Sequence, residues 1–193
     1  KEKFTEKVVS RAEAAVVGFG KNKDITTGPV IDKRAFEKIK GLIKDAVMNG
    51  AKLLAGGNRP KYLDKGYYIS PTVLCDVTEK MQVYQQETFG PIVSLISFSE
   101  ETNLLNMAND CDEGGLTAYI FTTNQTRAEF YASKLRYGEI QINGVKYDID
   151  LPHGGIGQSG IGHDCSSLAL QDYLIQKRIT CSNNSYELGK ALS

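Results

Sequence analysis

A carboxylate and an aromatic side chain lie two positions apart at a predicted turn in the middle of the chain. Glu87 and Phe89 belong to the sequence QQETFGP, residues 85–91, in which Gly90 permits unusual backbone angles and the proline fixes its own φ. The hydrophobic run Ile92–Phe98 follows and is typical of a β-strand. Loops at the mouth of a sheet often carry ligand-binding groups, so the pair is a candidate binding site. The ordinary alternative is a solvated glutamate and a core phenylalanine.

A glycine-rich segment, Gly155–Gly160, matches the pattern G-x-G-x-x-G of dinucleotide-binding loops. That motif needs a hydrophobic strand directly before it and an acidic residue about 20 positions later, after a second strand. Here Leu151–His153 precedes it, Ile175 stands 20 positions after its first glycine, and Asp172 falls within a predicted helix. The pattern therefore favours a tight loop whose glycines allow close backbone packing.

Hydrophobic periodicity surrounds these segments with helices and strands. A helix capped by Asp32 should end at Asn49–Gly50. The side chains that it should turn inward are Phe36, Ile39, Ile43 and Val47. The run Tyr67–Val77 is rich in strand-forming residues, but Pro71 interrupts it, which favours an irregular segment or a sheet edge.

Strands and helices alternate more plainly in the second half of the chain. The last two elements predicted are a helix, Ser166–Leu174, and a strand, Ile175–Cys181. This alternation with short connections indicates an α/β fold with a largely parallel sheet flanked by helices.

Composition excludes several classes of partner. The 193 residues are 41% hydrophobic and 24% charged, and the 23 basic residues balance the 23 acidic ones. A net charge of zero gives no electrostatic reason to expect nucleic acid or an anionic membrane, and no apolar run reaches the ~18–20 residues that span a bilayer. The four cysteines form no C-x-x-C pair, which indicates reduced thiols and a cytoplasmic protein. They are Cys75, Cys111, Cys165 and Cys181.

The two ends of the chain also carry information. Helical periodicity is already present at Lys1, and no capping residue precedes it. We therefore expect the chain to be a piece of a longer polypeptide. Residues 182–193 are polar and are expected to form a flexible tail.

Several motifs in a fixed order resemble one family, the aldehyde dehydrogenase superfamily. The segments that carry the resemblance are Gly28-Pro29, Gly50–Gly57, Gly66–Phe98, Leu116–Thr122, Ile142-Asn143 and Pro152–Gly162. Their order and spacing fit the C-terminal half of that family's catalytic domain from Phe4 to Thr180. The resemblance implies that residues 1–181 are the C-terminal portion of a catalytic domain, incomplete at its N-terminus.

The resemblance assigns a cofactor role to the QQETFGP turn. In the family, the Glu of E-x-F-G-P hydrogen-bonds the nicotinamide ribose and the Phe packs beside the nicotinamide, which implies these roles for Glu87 and Phe89. The cofactor would be NAD or NADP, bound mainly by residues outside this chain. The family's nucleophilic cysteine, in a G-Q-x-C motif, and its upstream glutamate base have no counterpart here. The isolated chain is therefore expected to be inactive.

The same resemblance implies a polar substrate funnel bordered by Asn143, Tyr147 and His153. His153 stands where the family commonly has phenylalanine, and Asn143–Asp150 holds further polar groups. A polar funnel suits a hydroxyaldehyde, of the lactaldehyde or glyceraldehyde type, or an acidic semialdehyde, because a buried hydroxyl or carboxylate needs partners. The alternative is that His153 only packs and bonds locally. His163 is expected at the surface.

Three further expectations concern partners and rival functions. Ile175–Cys181 resembles the C-terminal strand through which the family oligomerises, which implies a homo-oligomer; an internal edge strand is the alternative. A non-enzymatic binding or assembly module on the same scaffold is the rival function. A related enzyme that reduces activated acyl groups is a third possibility, against which the E-x-F-G-P and SG-x-G motifs argue.

Overall fold

The computed structural model of the protein describes residues 1–99, 101–110 and 114–180. Helices and short strands alternate along these ranges. The helices are α1 (Glu2–Glu13), α2 (Lys33–Met48), α3 (Gln82–Gln85), α4 (Glu101–Asn109) and α5 (Gln125–Lys134), followed by 3₁₀ helices at Gly157–Ser159 and Ser167–Tyr173. The strands are β1 (Lys52–Ala55), β2 (Thr72–Cys75), β3 (Ile92–Leu95), β4 (Thr117–Ile120) and β5 (Glu139–Ile142). Within the described ranges, no helix is long and apolar enough to cross a membrane.

The strands form two small sheets. In the first, β2 lies between β1 and β3 and pairs antiparallel with β1 and parallel with β3. In the second, β4 and β5 pair in parallel, with Thr117 opposite Glu139 and Ile120 opposite Ile142. The α/β class with largely parallel pairing and flanking helices is confirmed, although the strands divide between two sheets.

Helix α2 supplies much of the core beneath the first sheet. Asp32 caps it, since its side chain accepts a hydrogen bond of 2.7 Å from the Ala35 backbone N–H. The buried side chains of α2 are Phe36, Ile39, Leu42, Ile43 and Ala46. The prediction for Val47 is wrong, because Leu42 and Ala46 extend the buried stripe on its other side and leave Val47 44% exposed at its edge.

The central position of β2 corrects the expectation for Tyr67–Val77. Residues Thr72–Cys75 are all buried between two neighbouring strands. Pro71 stands directly before the strand, so its missing N–H removes no bond from the ladder. Thr72 is buried with its hydroxyl satisfied, since Oγ1 donates to the Ser70 carbonyl at 2.8 Å.

The last predicted elements differ from the structure. A 3₁₀ helix, Ser167–Tyr173, stands where a helix over Ser166–Leu174 was expected. Residues 175–180 of the predicted strand Ile175–Cys181 form no strand, because no other described segment pairs with their backbone groups. Ile175 and Ile179 are 97% and 84% exposed. Cys181 and the predicted tail, residues 182–193, lie outside the described residues.

Candidate functional site

The turn that carries Glu87 and Phe89 is clamped onto α2. It joins α3 to β3 and contacts α2 at Lys38 and Ile39. The Lys38 ammonium donates a hydrogen bond of 2.6 Å to the Glu87 carbonyl. Gly90 approaches so closely that a Cβ there would lie 2.3 Å from Ile39 Cδ1. Packing against a buried isoleucine and a lysine therefore sets the height of this turn above the core.

Phe89 has an unusual conformation within the turn. Its φ is +46°, in the left-handed region that bulky residues rarely adopt, and its side chain is 79% exposed. Such backbone outliers cost roughly 1–3 kcal/mol and concentrate at ligand-binding positions. The side chain of Glu87, two residues earlier, is also exposed. The turn thus presents a carboxylate and an aromatic ring together at the surface.

Tyr147 and His153 meet at a second site, a cavity of about 310 Å³ between β5 and the segment that follows it. Their rings lie 6.2 Å apart, edge to face, on its wall. Glu139 and Asp148 also line this cavity. Two of the three residues predicted to border a funnel are therefore neighbours.

Asn143 lies apart from that cavity and joins the ends of β4 and β5. Its side-chain amide donates to the Thr122 carbonyl and accepts from the Thr122 N–H, both at 2.8 Å. Its φ of +54° is one that asparagine tolerates better than most residues. The structure gives Asn143 a bridging role, and its place in a funnel stays a prediction.

Glu139, at the start of β5, is the site residue that sequence reasoning missed. Its carboxylate contacts His153 Nδ1 at 3.1 Å, the Thr117 hydroxyl at 3.2 Å and the Gln141 amide. These contacts, first the Gln141 hydrogen bond and then those of His153 and Thr117, lower the pKa of Glu139 against the opposing effect of burial. The signal was present in the sequence EIQI, since alternation places Glu139 and Gln141 on one face of the strand.

Cys165 contacts Tyr147, one of the residues on the cavity wall. Its sulfur lies 3.0 Å from the Tyr147 hydroxyl, and this hydrogen bond raises the pKa of Tyr147. Cys165 has a φ of +63° and is half-buried, whereas Cys75 is fully buried in β2. Both described cysteines are free, and their surroundings agree with packing roles.

The glycine-rich loop packs by close backbone approach. A Cβ on Gly138 would lie 1.7 Å from the Gly154 carbonyl oxygen, and the Ile156 N–H donates to the Gly115 carbonyl at 3.0 Å. The segment before Gly155–Gly160 forms no regular strand, in agreement with a packing loop. His163 is exposed, as predicted. The described part of the chain contains no cluster of three or more side chains that could hold a metal ion.

A larger cavity, of about 610 Å³, lies between α1 and the starts of β2 and β3. It reaches Gly90 and Pro91 at the base of the turn, and its lining is largely apolar. Titratable groups capable of acid–base chemistry converge on the smaller cavity beside Glu139 instead.

Replacing Glu139 by glutamine should destabilise the protein at neutral pH and do so less in acid. The pKa of Glu139 is lower in the folded chain than its ordinary value of 4.5, so its ionised form favours folding. That contribution is present above pH 4.5 and is lost as the pH falls through the folded pKa. Urea unfolding at pH 7 and pH 3.5 measures the difference. Glu129→Gln, on α5, is the matched control, and an equal effect of Glu139→Gln at both pH values would contradict the assignment.

Comparison with known proteins identifies the family. Residues 1–179 match the model of the aldehyde dehydrogenase family. A peroxisomal aminoaldehyde dehydrogenase from Pisum sativum is 34% identical over 178 residues, which are 92% of this chain and 35% of that protein. A 3-sulfolactaldehyde dehydrogenase from Pseudomonas putida is 37% identical over 174 residues, 90% of this chain and 35% of the relative.

The fold leads to the same family. The NAD⁺ complex of an aldehyde dehydrogenase from Bacillus cereus superposes with a TM-score of 0.82 at 34% identity, covering 89% of this chain and 35% of the other. The chain thus spans about a third of the length of the curated relatives it matches. The match of nearly the whole chain to one family model, together with this structural likeness, shows that the chain belongs to the aldehyde dehydrogenase family.

Proposed function

We propose that residues 1–181 are the C-terminal catalytic-domain portion of an NAD(P)-dependent aldehyde dehydrogenase. The parent protein would oxidise a small, polar aldehyde to its acid. The observation that carries this proposal is the QQETFGP turn, where the exposed Phe89 is held at a φ of +46° beside Glu87. A strained, exposed aromatic clamped to the core is costly unless a ligand uses it.

The residues of the turn fit a nicotinamide riboside. An ionised carboxylate is an acceptor only, so Glu87 is suited to two ribose hydroxyls. The exposed ring of Phe89 offers an apolar face for the nicotinamide. When bound, the nicotinamide supplies the acceptor for the hydride that leaves the aldehyde carbon. Lys38 and Ile39 contribute by fixing the turn from beneath.

The chain alone should not catalyse the oxidation of aldehydes. Oxidation of an aldehyde in this family requires a thiolate that attacks the carbonyl and a base that activates water for release of the acid. The G-Q-x-C motif that carries the thiolate is absent from the 193 residues. We therefore assign this chain to cofactor and substrate positioning, and the nucleophile to the remainder of the parent protein.

The substrate side of the proposal rests on the cavity beside β5. Tyr147 and His153 line it, with Asn143 at the end of the same strand. Side chains with hydrogen-bonding groups favour an aldehyde that carries its own polar group. The names of the pea and Pseudomonas relatives denote polar aldehydes, an aminoaldehyde and 3-sulfolactaldehyde, which supports the same class.

We further propose that the parent protein is a homo-oligomer in the cytoplasm. Segment 175–180 is exposed, with Ile175 and Ile179 facing solvent. Ile175–Cys181 would pair as an edge strand with another copy of the chain in a homo-oligomer. Free Cys75 and Cys165 support a reducing, cytoplasmic location.

Replacing Glu87 by glutamine tests the cofactor role. In the polypeptide encoded by the complete reading frame that contains this chain, Glu87→Gln should lower kcat/KM for the nicotinamide cofactor about tenfold, because it removes a charged acceptor. Phe89→Ala should also lower kcat/KM for the cofactor, and Glu129→Gln should leave it unchanged. Initial rates at varied cofactor concentration measure the effect. Wild-type kinetics in both turn variants would remove the support for a nicotinamide site.

A further inference from the structure

The hydrogen bonds around Glu139 determine which nitrogen of His153 carries a proton. The ionised carboxylate can only accept hydrogen bonds, and its Oε2 lies 3.1 Å from His153 Nδ1. Nδ1 must therefore donate. In a neutral imidazole the proton is then on Nδ1, and Nε2 carries a lone pair. No other side-chain hydrogen bond to the ring of His153 occurs within the described chain, so Nε2 is the nitrogen left for a ligand.

Both partners in this contact are held in place. The Glu139 carboxylate receives two further donors, the Gln141 amide and the Thr117 hydroxyl of the neighbouring strand. Gln141 is itself fixed, because its amide bonds both the backbone carbonyl of Lys146, at 2.7 Å, and its N–H, at 3.1 Å. The carboxylate thus has little freedom to turn away from the imidazole.

The backbone of His153 is also held in place. Its N–H and carbonyl exchange hydrogen bonds of 2.8 and 2.7 Å with Asp164. The ring also packs edge to face against Tyr147, whose hydroxyl reaches Cys165. The backbone, the ring and Nδ1 therefore each have a partner, and the imidazole has a defined orientation on the cavity wall.

The charges that line the cavity distinguish between polar substrates. Lys146 and Asp148 form an ion pair of 2.6 Å and largely neutralise each other. Glu139 then leaves a net negative charge next to His153, which disfavours a substrate carboxylate. A lone pair on Nε2 requires a hydrogen-bond donor, which a quaternary ammonium group lacks.

We propose that Glu139 is a positioning residue that holds His153 in the Nδ1–H tautomer, so that Nε2 accepts a hydrogen bond from a hydroxyl group of the aldehyde. This inference rests on the proposed function and narrows its substrate class to aldehydes that carry a hydrogen-bond donor, here a hydroxyl group. Selectivity then depends on two side chains. His153 contacts the substrate, and Glu139 acts only by orienting His153.

The tautomer can be measured in the chain itself. Nitrogen-15 NMR of the imidazoles reports which ring nitrogen is protonated, and the chain has only two histidines, so His163→Gln assigns the signals. Neutral His153 should be protonated at Nδ1 in the wild type. The Nδ1–H form should lose its predominance in Glu139→Met, which has no acceptor, and persist in Glu139→Gln, which keeps one. Protonation of Nε2 in neutral His153 of the wild type would overturn the inference. So would an unchanged tautomer of His153 in Glu139→Met, and neither result depends on enzymatic activity.

Substrate choice is measured in the polypeptide from the complete reading frame. The wild type should prefer 2-hydroxypropanal to propanal by about tenfold in kcat/KM, the usual scale of one hydrogen bond to an otherwise unpaired group. Glu139→Met and His153→Phe should abolish this preference, whereas Glu139→Gln should largely keep it. A merely structural role for Glu139 would lower both rates together and leave their ratio intact.

The outcomes separate this inference from the proposed function. Oxidation of aldehydes with no preference for the hydroxyl, or with a preference for a semialdehyde bearing a carboxylate, would overturn the inference and leave the dehydrogenase in place. Absence of all aldehyde oxidation would overturn the proposed function and the substrate assignment together. The NMR result would then still decide whether Glu139 orients His153.

Discussion

The substitution Gly138→Ala should disrupt the cavity beside β5 more severely than the addition of a methyl group at any other glycine there. Its Cβ would lie 1.7 Å from the Gly154 carbonyl oxygen and 2.8 Å from the carbonyl carbon. Both atoms belong to the backbone and cannot rotate away. Either β5 or the glycine-rich loop must shift, and since Gly138 precedes Glu139 and Gly154 follows His153, the contact between those two side chains should be lost. We expect a loss of about 3 kcal/mol or more in the free energy of unfolding.

Urea unfolding of the chain measures this loss, with Gly144→Ala as the control. A Cβ at Gly144 would meet no atom within 4 Å, and the residue lies just beyond the same strand. The control should change stability little. Equal unfolding midpoints for the two variants would show that the loop does not pack on β5 as described.

Shortening Ile39 to alanine should be comparably destabilising. Ile39 is fully buried, packs with Phe36, Ile43 and Ile69, and lies beneath Gly90. Removal of three buried carbon atoms from such a site costs roughly 2–5 kcal/mol, including the cavity left behind. The QQETFGP turn would also lose its support. Ile31→Ala, at a side chain that is 92% exposed, should change the free energy of unfolding by no more than about 0.5 kcal/mol.

A double-mutant cycle shows whether Ile39 sets the position of the turn. Gly90→Ala should be destabilising in the wild type, because the new Cβ would lie 2.3 Å from Ile39 Cδ1. In the Ile39→Ala background that atom is gone, so the same substitution should cost less. Additive effects, measured by urea unfolding of the four proteins, would mean that the turn does not rest on this residue.

Local chemistry explains the features that were correctly predicted. The Asp32 cap and the spacing of Phe36, Ile39 and Ile43 depend only on neighbouring residues, and the structure confirms them. The position of Phe89 at a turn also follows from the adjacent Gly-Pro pair, although its positive φ does not. The α/β class follows in the same way from alternation along the chain.

Long-range pairing explains the features that were not predicted. Whether Thr72–Cys75 is central or at an edge depends on β1 and β3, which lie on either side of it only after folding. The importance of Glu139 depends on its meeting His153, 14 residues away, across a cavity. The predicted strand Ile175–Cys181 needs a partner strand, and the described residues provide none. In each case the deciding neighbour is remote in the sequence.

We propose that this chain positions a nicotinamide cofactor and an aldehyde in a larger dehydrogenase. The most direct measurement is formation of NADH or NADPH, by absorbance, when the polypeptide from the complete reading frame is mixed with NAD⁺ or NADP⁺ and 2-hydroxypropanal. We expect steady formation of NADH or NADPH by that polypeptide, a slower rate in its Glu87→Gln variant, and no formation by the 193-residue chain alone. Turnover by the isolated chain, or no reduction of either cofactor with any aldehyde by the whole polypeptide, would contradict it.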